Sequence, residues 1–116
     1  SCQSTPTLQS KNGTIKGPGY PDRYPNNAAS CWRIYVPENN VIKLIIHRLD
    51  LESCSGCACD SVEVFDGYSE SSRSLGKFCS GNRILTSSGR NLFVKFTSDR
   101  SVNGDAFTAS YYKEAK

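Results

Sequence analysis

From Cys31 onward, apolar and polar residues alternate along most of the chain with a period of two. Trp32, Ile34 and Val36 fall on one side of an extended segment and Arg33 and Tyr35 on the other, before the turn signal Pro37-Glu38-Asn39-Asn40. Ile42, Leu44 and Ile46 alternate with Lys43, Ile45 and His47, an almost continuous apolar run of the kind that suits a strand held between two layers. Val62 and Val64 alternate with Glu63 and Phe65 as far as the turn pair Asp66-Gly67. Leu75 to Cys79 and Ile84 to Thr86 predict weaker strands. Leu92, Val94 and Phe96 alternate with Phe93, Lys95 and Thr97, and Phe107, Ala109 and Tyr111 with Thr108, Ser110 and Tyr112. Nowhere do apolar residues recur at helical spacing over a helix length. About seven or eight short strands with turn signals between them predict an all-β sandwich.

The first thirty residues differ. Positions 3 to 30 are rich in Gly, Pro, Asn and Ser, with Pro18-Gly19 as a turn pair and the dipeptides Tyr20-Pro21 and Tyr24-Pro25 close behind. Proline fixes φ and donates no hydrogen bond, so this segment is expected to be an irregular, turn-punctuated arm. No internal repeat or low-complexity tract is present.

A length of 116 residues bounds the chain to one domain. No apolar run reaches the ~18 residues that a membrane-spanning helix requires, and membrane insertion is not expected. The net charge of +3 is spread without a block of one sign, which points away from nucleic acid or an anionic membrane as partner. The chain opens on Ser1-Cys2 without a leader pattern, as expected of a module taken from a longer chain. Six cysteines in so short a chain imply an oxidising compartment, hence a secreted protein or the extracellular part of a cell-surface one. The sequon Asn12-Gly13-Thr14 agrees with that setting, offering Asn12 as an N-glycan acceptor, and is expected to lie in a turn.

Cysteines and acids concentrate between Asp50 and Gly67, a stretch that holds Cys54, Cys57 and Cys59 together with Asp50, Glu52, Asp60, Glu63 and Asp66. Six cysteines permit 15 pairings, and spacing does not choose among them. Cys54-x-x-Cys57 has the spacing of a zinc knuckle, but a structural zinc site commonly needs a second knuckle, and only Cys79 and a distant His47 remain. Calcium, a hard cation that takes six to eight oxygens, suits the acids better: Glu52 and Asp60 flank the cysteine-rich loop, and Asp99 lies in the later loop Ser98-Asp99-Arg100-Ser101. Spacing alone favours the plainer reading, in which Asp60 and Asp99 cap turns and Glu52 is solvated.

Catalysis has little support. The single histidine, His47, sits within a strand pattern, and no nucleophile elbow, zinc-protease motif or phosphate-cradling glycine loop occurs, so no catalytic residue is assigned. Arg23, Arg33, Lys43, Arg48, Arg83, Arg90 and Lys95 would suit sulfated glycans if they converged on one sheet face, against the plainer reading of a solvated surface.

An ordered series of motifs resembles the CUB domain, an extracellular module of complement proteases, tolloid proteinases, cubilin and neuropilins. It runs through Gly13-Thr14-Ile15, Pro18-Gly19-Tyr20-Pro21, Tyr24-Pro25-Asn26-Asn27, Cys31-Trp32, Leu49-Asp50-Leu51-Glu52, Cys57-Ala58-Cys59-Asp60-Ser61-Val62-Glu63-Val64, Asp66-Gly67, Leu75-Gly76-Lys77-Phe78-Cys79 and Phe96-Thr97-Ser98-Asp99-Arg100-Ser101, covering Cys2 to about Tyr112. The resemblance implies a two-layer, mostly antiparallel, jelly-roll-type sandwich with disulfides Cys2–Cys31 and Cys57–Cys79. Cys54 and Cys59 have no counterpart in the common pattern and are left to pair locally, while exchange of Cys57 and Cys59 on Cys79 stays open.

The resemblance also implies a calcium site at Glu52, Asp60 and Asp99, with backbone oxygens from Ser101 and Val102 and a buttress at Tyr24. Asp50 is a further candidate beside them. Many members carry Asn where this chain has Val102, which lacks a side-chain oxygen, and Gly where it has Ala106. The function implied is non-catalytic: calcium orders the loops and presents carboxylates to a lysine or arginine of an extracellular protein ligand. Neighbouring domains of the parent chain are further expected partners. The alternatives are a calcium-independent glycan- or microbe-binding module and a structural or oligomerisation spacer.

Overall fold

The computed structural model describes residues 2–51, 54–99 and 107–116. Nine strands form two sheets among these residues. They are β1 (Thr7–Leu8), β2 (Asn12–Lys16), β3 (Ala29–Tyr35), β4 (Asn40–Asp50), β5 (Ser61–Phe65), β6 (Ser74–Phe78), β7 (Ser80–Thr86), β8 (Asn91–Thr97) and β9 (Thr108–Ala115). One sheet runs β1-β3-β8-β5-β6 and the other β2-β9-β4-β7. Pairing is antiparallel except between β1 and β3.

The sandwich follows from the alternation. Trp32, Ile34 and Val36, Leu92, Val94 and Phe96, and Val62 and Val64 point inward from the larger sheet. They meet Ile42, Leu44 and Ile46, Ala109 and Tyr111, and Ile15 from the smaller one. Phe107 lies between the sheets, its ring stacked on Phe96 and met edge-on by Trp32. The apolar run of β4 is a one-sided strand: Ile45 is half-buried on the outer face and His47 is exposed. Its register against β7 shifts between Ile46 and Leu49. That bulge turns both His47 and Arg48 outward and moves the inward phase to Leu49 and Leu51, which are buried.

The amino-terminal arm departs from expectation. Residues 12–16 form an edge strand on β9, with Ile15 opposite Ala109 in the core, so the sequon lies in a strand and its Asn12 is exposed. One apolar residue among five is too short a signal for alternation to reveal, and the pairing comes from β9. The turn at Pro18-Gly19 is present: Gly19 has φ +87°, and a Cβ there would sit 2.3 Å from the Arg23 carbonyl oxygen.

A smaller apolar cluster lies outside the core. Cys31, Phe65 and Phe93 pack together with Cys2. Arg33 lies over the rings of Tyr68 and Phe93 at 4.0 and 5.5 Å.

Candidate functional site

Asp60 ends the cysteine-rich loop, immediately before β5. Ser61 is the register partner of Thr97 on β8, and their hydroxyls are 3.2 Å apart. One residue beyond that pair, the two strands carry Asp60 and the Ser98-Asp99 segment out at the same end of the sheet. The backbone N–H of Asp99 donates to Oδ1 of Asp60 at 2.8 Å, and the Tyr24 hydroxyl donates to Oδ2. Both Asp60 and Tyr24 have 0% relative exposure.

The arm is fastened to this end by a short ladder. Asn27 N–H donates to the Asp99 carbonyl at 2.7 Å, and Ser98 N–H to the Ala28 carbonyl at 2.9 Å. The Ser98 hydroxyl accepts from Ala28 N–H at 2.9 Å and donates to the Pro25 carbonyl at 2.7 Å. Asn27 has φ +54°, a left-handed conformation that asparagine tolerates better than most residues. Tyr24 thereby enters the core end-on, its ring edge-to-face with Phe96 at 5.1 Å. Spacing does not single out Ser98 or Asn27; the Asn26-Asn27 pair after Pro25 in a turn-rich segment is the available signal.

Disulfides frame the other side of Asp60. Cys54 is bonded to Cys59, Cys57 to Cys79, and Cys2 to Cys31. Between the first two runs a single 3-10 turn, Ser55–Cys57, and Leu51 N–H donates to the Cys79 carbonyl at 3.2 Å. With every cysteine bonded, no thiolate remains for a zinc knuckle.

Asp60 is therefore a carboxylate out of water that forms no ion pair among the described residues. Burial of a charged carboxylate is costly unless donors or a cation compensate it. Two donors occupy one acceptor position on each oxygen, and a carboxylate has about four such positions in all, so each oxygen keeps capacity for a cation. A hard, oxygen-seeking ion fits this donor set; a soft one does not.

Of the residues expected at the site, Asp60, Asp99 and Tyr24 come together. Glu52, Ser101 and Val102 lie outside the described residues. Asp50 is exposed at the end of β4, between the inward-pointing Leu49 and Leu51. No group of three metal-ligating side chains occurs among the described residues.

The basic residues do not gather on one face. Arg33 and Lys95 belong to the larger sheet and Lys43 to the smaller, Lys95 is paired with Glu70 at 2.7 Å, and Arg90 with Glu38 at 3.3 Å. The Lys95 ammonium holds the Glu70 carboxyl below its ordinary value. Glu63 accepts from the Ser74 hydroxyl on the neighbouring β6, and Asp66 accepts from Ser88 N–H in the connection between β7 and β8, so both are engaged in joining elements of the sandwich.

Known proteins share this sequence pattern and fold. The family model described as "CUB domain" matches residues 2–111. Human procollagen C-endopeptidase enhancer 1 is 42% identical over 109 residues, covering 90% of this chain and 24% of that protein. The chain thus spans about a quarter of that relative's length. The CUB1-EGF-CUB2 domains of rat MASP-1 superpose with a TM-score of 0.83 at 31% identity, covering 96% of this chain and 43% of that one. The MASP-1 CUB2 domain bound to Ca2+ shares the fold, with a TM-score of 0.78 at 24% identity over 91% of this chain and 96% of that one.

Proposed function

The chain belongs to the CUB domain family, and from that premise we propose that it is a calcium-dependent protein-binding module within a longer extracellular protein. In related proteins CUB domains are non-catalytic interaction modules of extracellular, multidomain chains. No helix of the described residues is long and apolar enough to cross a membrane.

The observation that carries the reading is the Asp60 carboxylate, buried, held by Tyr24 and the Asp99 N–H, and without a cationic side chain against it among the described residues. Calcium would be held by Asp60 and Asp99, with Glu52 and the backbone oxygens of Ser101 and Val102 completing the oxygen set. When bound, the ion supplies positive charge that neutralises the carboxylates and fixes the loops carrying them. The MASP-1 CUB2 domain is a case of this fold bound to Ca2+.

Loops so fixed would present carboxylate oxygens with spare lone pairs to a lysine or arginine of a protein ligand, through charge-assisted hydrogen bonds. The dispersed, partnered basic residues support this reading over polyanion binding.

Titrating Ca2+ into the metal-free chain by calorimetry, beside thermal unfolding in Ca2+ and in chelator, tests the proposal. Binding heat and a higher Tm in Ca2+ are expected, corresponding to about 2.7 kcal/mol at a concentration one hundred times Kd. Absence of both overturns it.

A further inference from the structure

The outer face of the smaller sheet is set by register. Asn12 is the Cα partner of Tyr112, Tyr112 of Lys43, and Lys43 of Thr86. The next outward row is Thr14, Ser110, Ile45 and Ile84. This face leaves Tyr112 38% and Ile84 69% exposed. These are large apolar groups in water, with Ile45 half-buried beside Ile84 in the same row.

Both chemistry-bearing residues of the sequon stand on that face. Asn12 and Thr14 alternate outward, whereas Gly13 points inward, where a Cβ would lie 2.6 Å from Cε2 of the Tyr111 ring. The inward position admits glycine because the Tyr111 ring fills the space a side chain would need. The strand that carries the sequon is an edge strand, with one side open beyond Asn12.

We propose that Asn12 carries an N-linked glycan whose first sugar lies on the Tyr112 ring and shields the outer face of the β2-β9-β4-β7 sheet. Neighbouring strands are ~4.8 Å apart, so the attachment point and the ring are adjacent across one strand pair. A pyranose presents a face of C–H bonds to the negative face of an aromatic ring, while its hydroxyls stay in water. Lys43 and the Thr14 hydroxyl stand in the same two rows and supply polar partners at its margin, while the Ser110 hydroxyl there is held by His47 Nε2 at 2.9 Å.

The donor is an oligosaccharide carried on a lipid diphosphate. The bond between sugar C1 and the diphosphate oxygen breaks, a bond from C1 to Asn12 Nδ2 forms, the amide gives up one proton, and the lipid diphosphate leaves with the electron pair. No redox partner is needed. The proposal is independent of the calcium site, and it makes this face unavailable to a protein ligand.

The chain is secreted from a eukaryotic cell line and compared with Asn12→Gln and Thr14→Ala. Peptide mass spectrometry should find a hexosamine-rooted glycan on Asn12 of the unaltered chain and on neither variant; an unmodified Asn12 overturns the site. Tyrosine nitration of the intact folded proteins reads the shielding. Tyr112 should be labelled several-fold more slowly in the glycosylated chain than in both variants. Tyr68, 62% exposed and stacked with Arg33 by the other sheet, should be labelled equally in all three. Equal labelling of Tyr112 with and without the glycan overturns its seating on that ring. Unchanged Tyr68 labelling and far-ultraviolet circular dichroism show that the variants fold.

Discussion

Tyr24 donates its phenolic hydrogen to the carboxylate of Asp60, 36 positions away in sequence, and neither residue reaches solvent. The arm and the cysteine-rich loop are thus joined by a polar contact in the buried end of the sandwich. That contact has an energetic consequence apart from any metal.

Tyr24→Phe keeps the ring against Phe96 and deletes only the donor. Leaving a buried charged acceptor short of one bond costs about 1–3 kcal/mol or more. Urea unfolding in chelator should show a lower midpoint with little change in slope. An unchanged midpoint would mean that water replaces the hydroxyl without loss.

Asp60→Asn retains the volume and an acceptor while removing the charge. Calcium binding should fall by more than ten-fold, read by calorimetry, with the metal-free Tm moving only a few degrees. Retention of full affinity would remove Asp60 from the ligand set.

The disulfides close loops of different length. Cys2–Cys31 spans a separation of 29 and Cys54–Cys59 one of 5. Chain-entropy arguments give about 3.6 kcal/mol for the first and ~2 kcal/mol for the second. The double variant Cys54→Ser/Cys59→Ser should therefore fold and lose less stability than Cys2→Ser/Cys31→Ser. The reverse order in chemical denaturation would show that the local bridge supports more than its own loop.

Burial pushes the Tyr111 phenol above its ordinary value, opposed by hydrogen bonding with Ser10. The folded state therefore holds this proton more tightly than the unfolded chain, whose tyrosines titrate near ~10. The resulting stabilisation is complete below that value and is lost as pH rises through the folded one. Tyr111→Phe should show a smaller fall in Tm above pH ~10 than the unaltered chain; parallel curves would refute the assignment.

Much of the sandwich was legible because a strand with one buried face must alternate. Trp32, Ile34 and Val36, or Leu92, Val94 and Phe96, declare their inward side without knowledge of any partner. The 12–16 strand was not legible: Ile15 is its single large apolar residue, and its edge position becomes favourable only through hydrogen bonds to β9. The phase change at Ile46/Leu49 was hidden for a related reason, since a bulge is fixed by the register of β7 opposite it.

At the site, residue chemistry by itself supplied the classes of group. Hard oxygen donors occur in two loops, cysteines crowd one of them, and no catalytic motif accompanies either. Spacing could not join Tyr24, Asp60 and Asp99, because the contacts between them span 36 and 39 positions. Only the tertiary structure decided that Asp60 is fully out of water, that both its oxygens are already held by donors, and that Asp50 two residues before Glu52 faces away from the core. Alternation is a local property that a chain carries along its length, whereas the meeting of one carboxylate with a distant phenol and a distant amide requires the β5–β8 register and the folded-over arm to exist first.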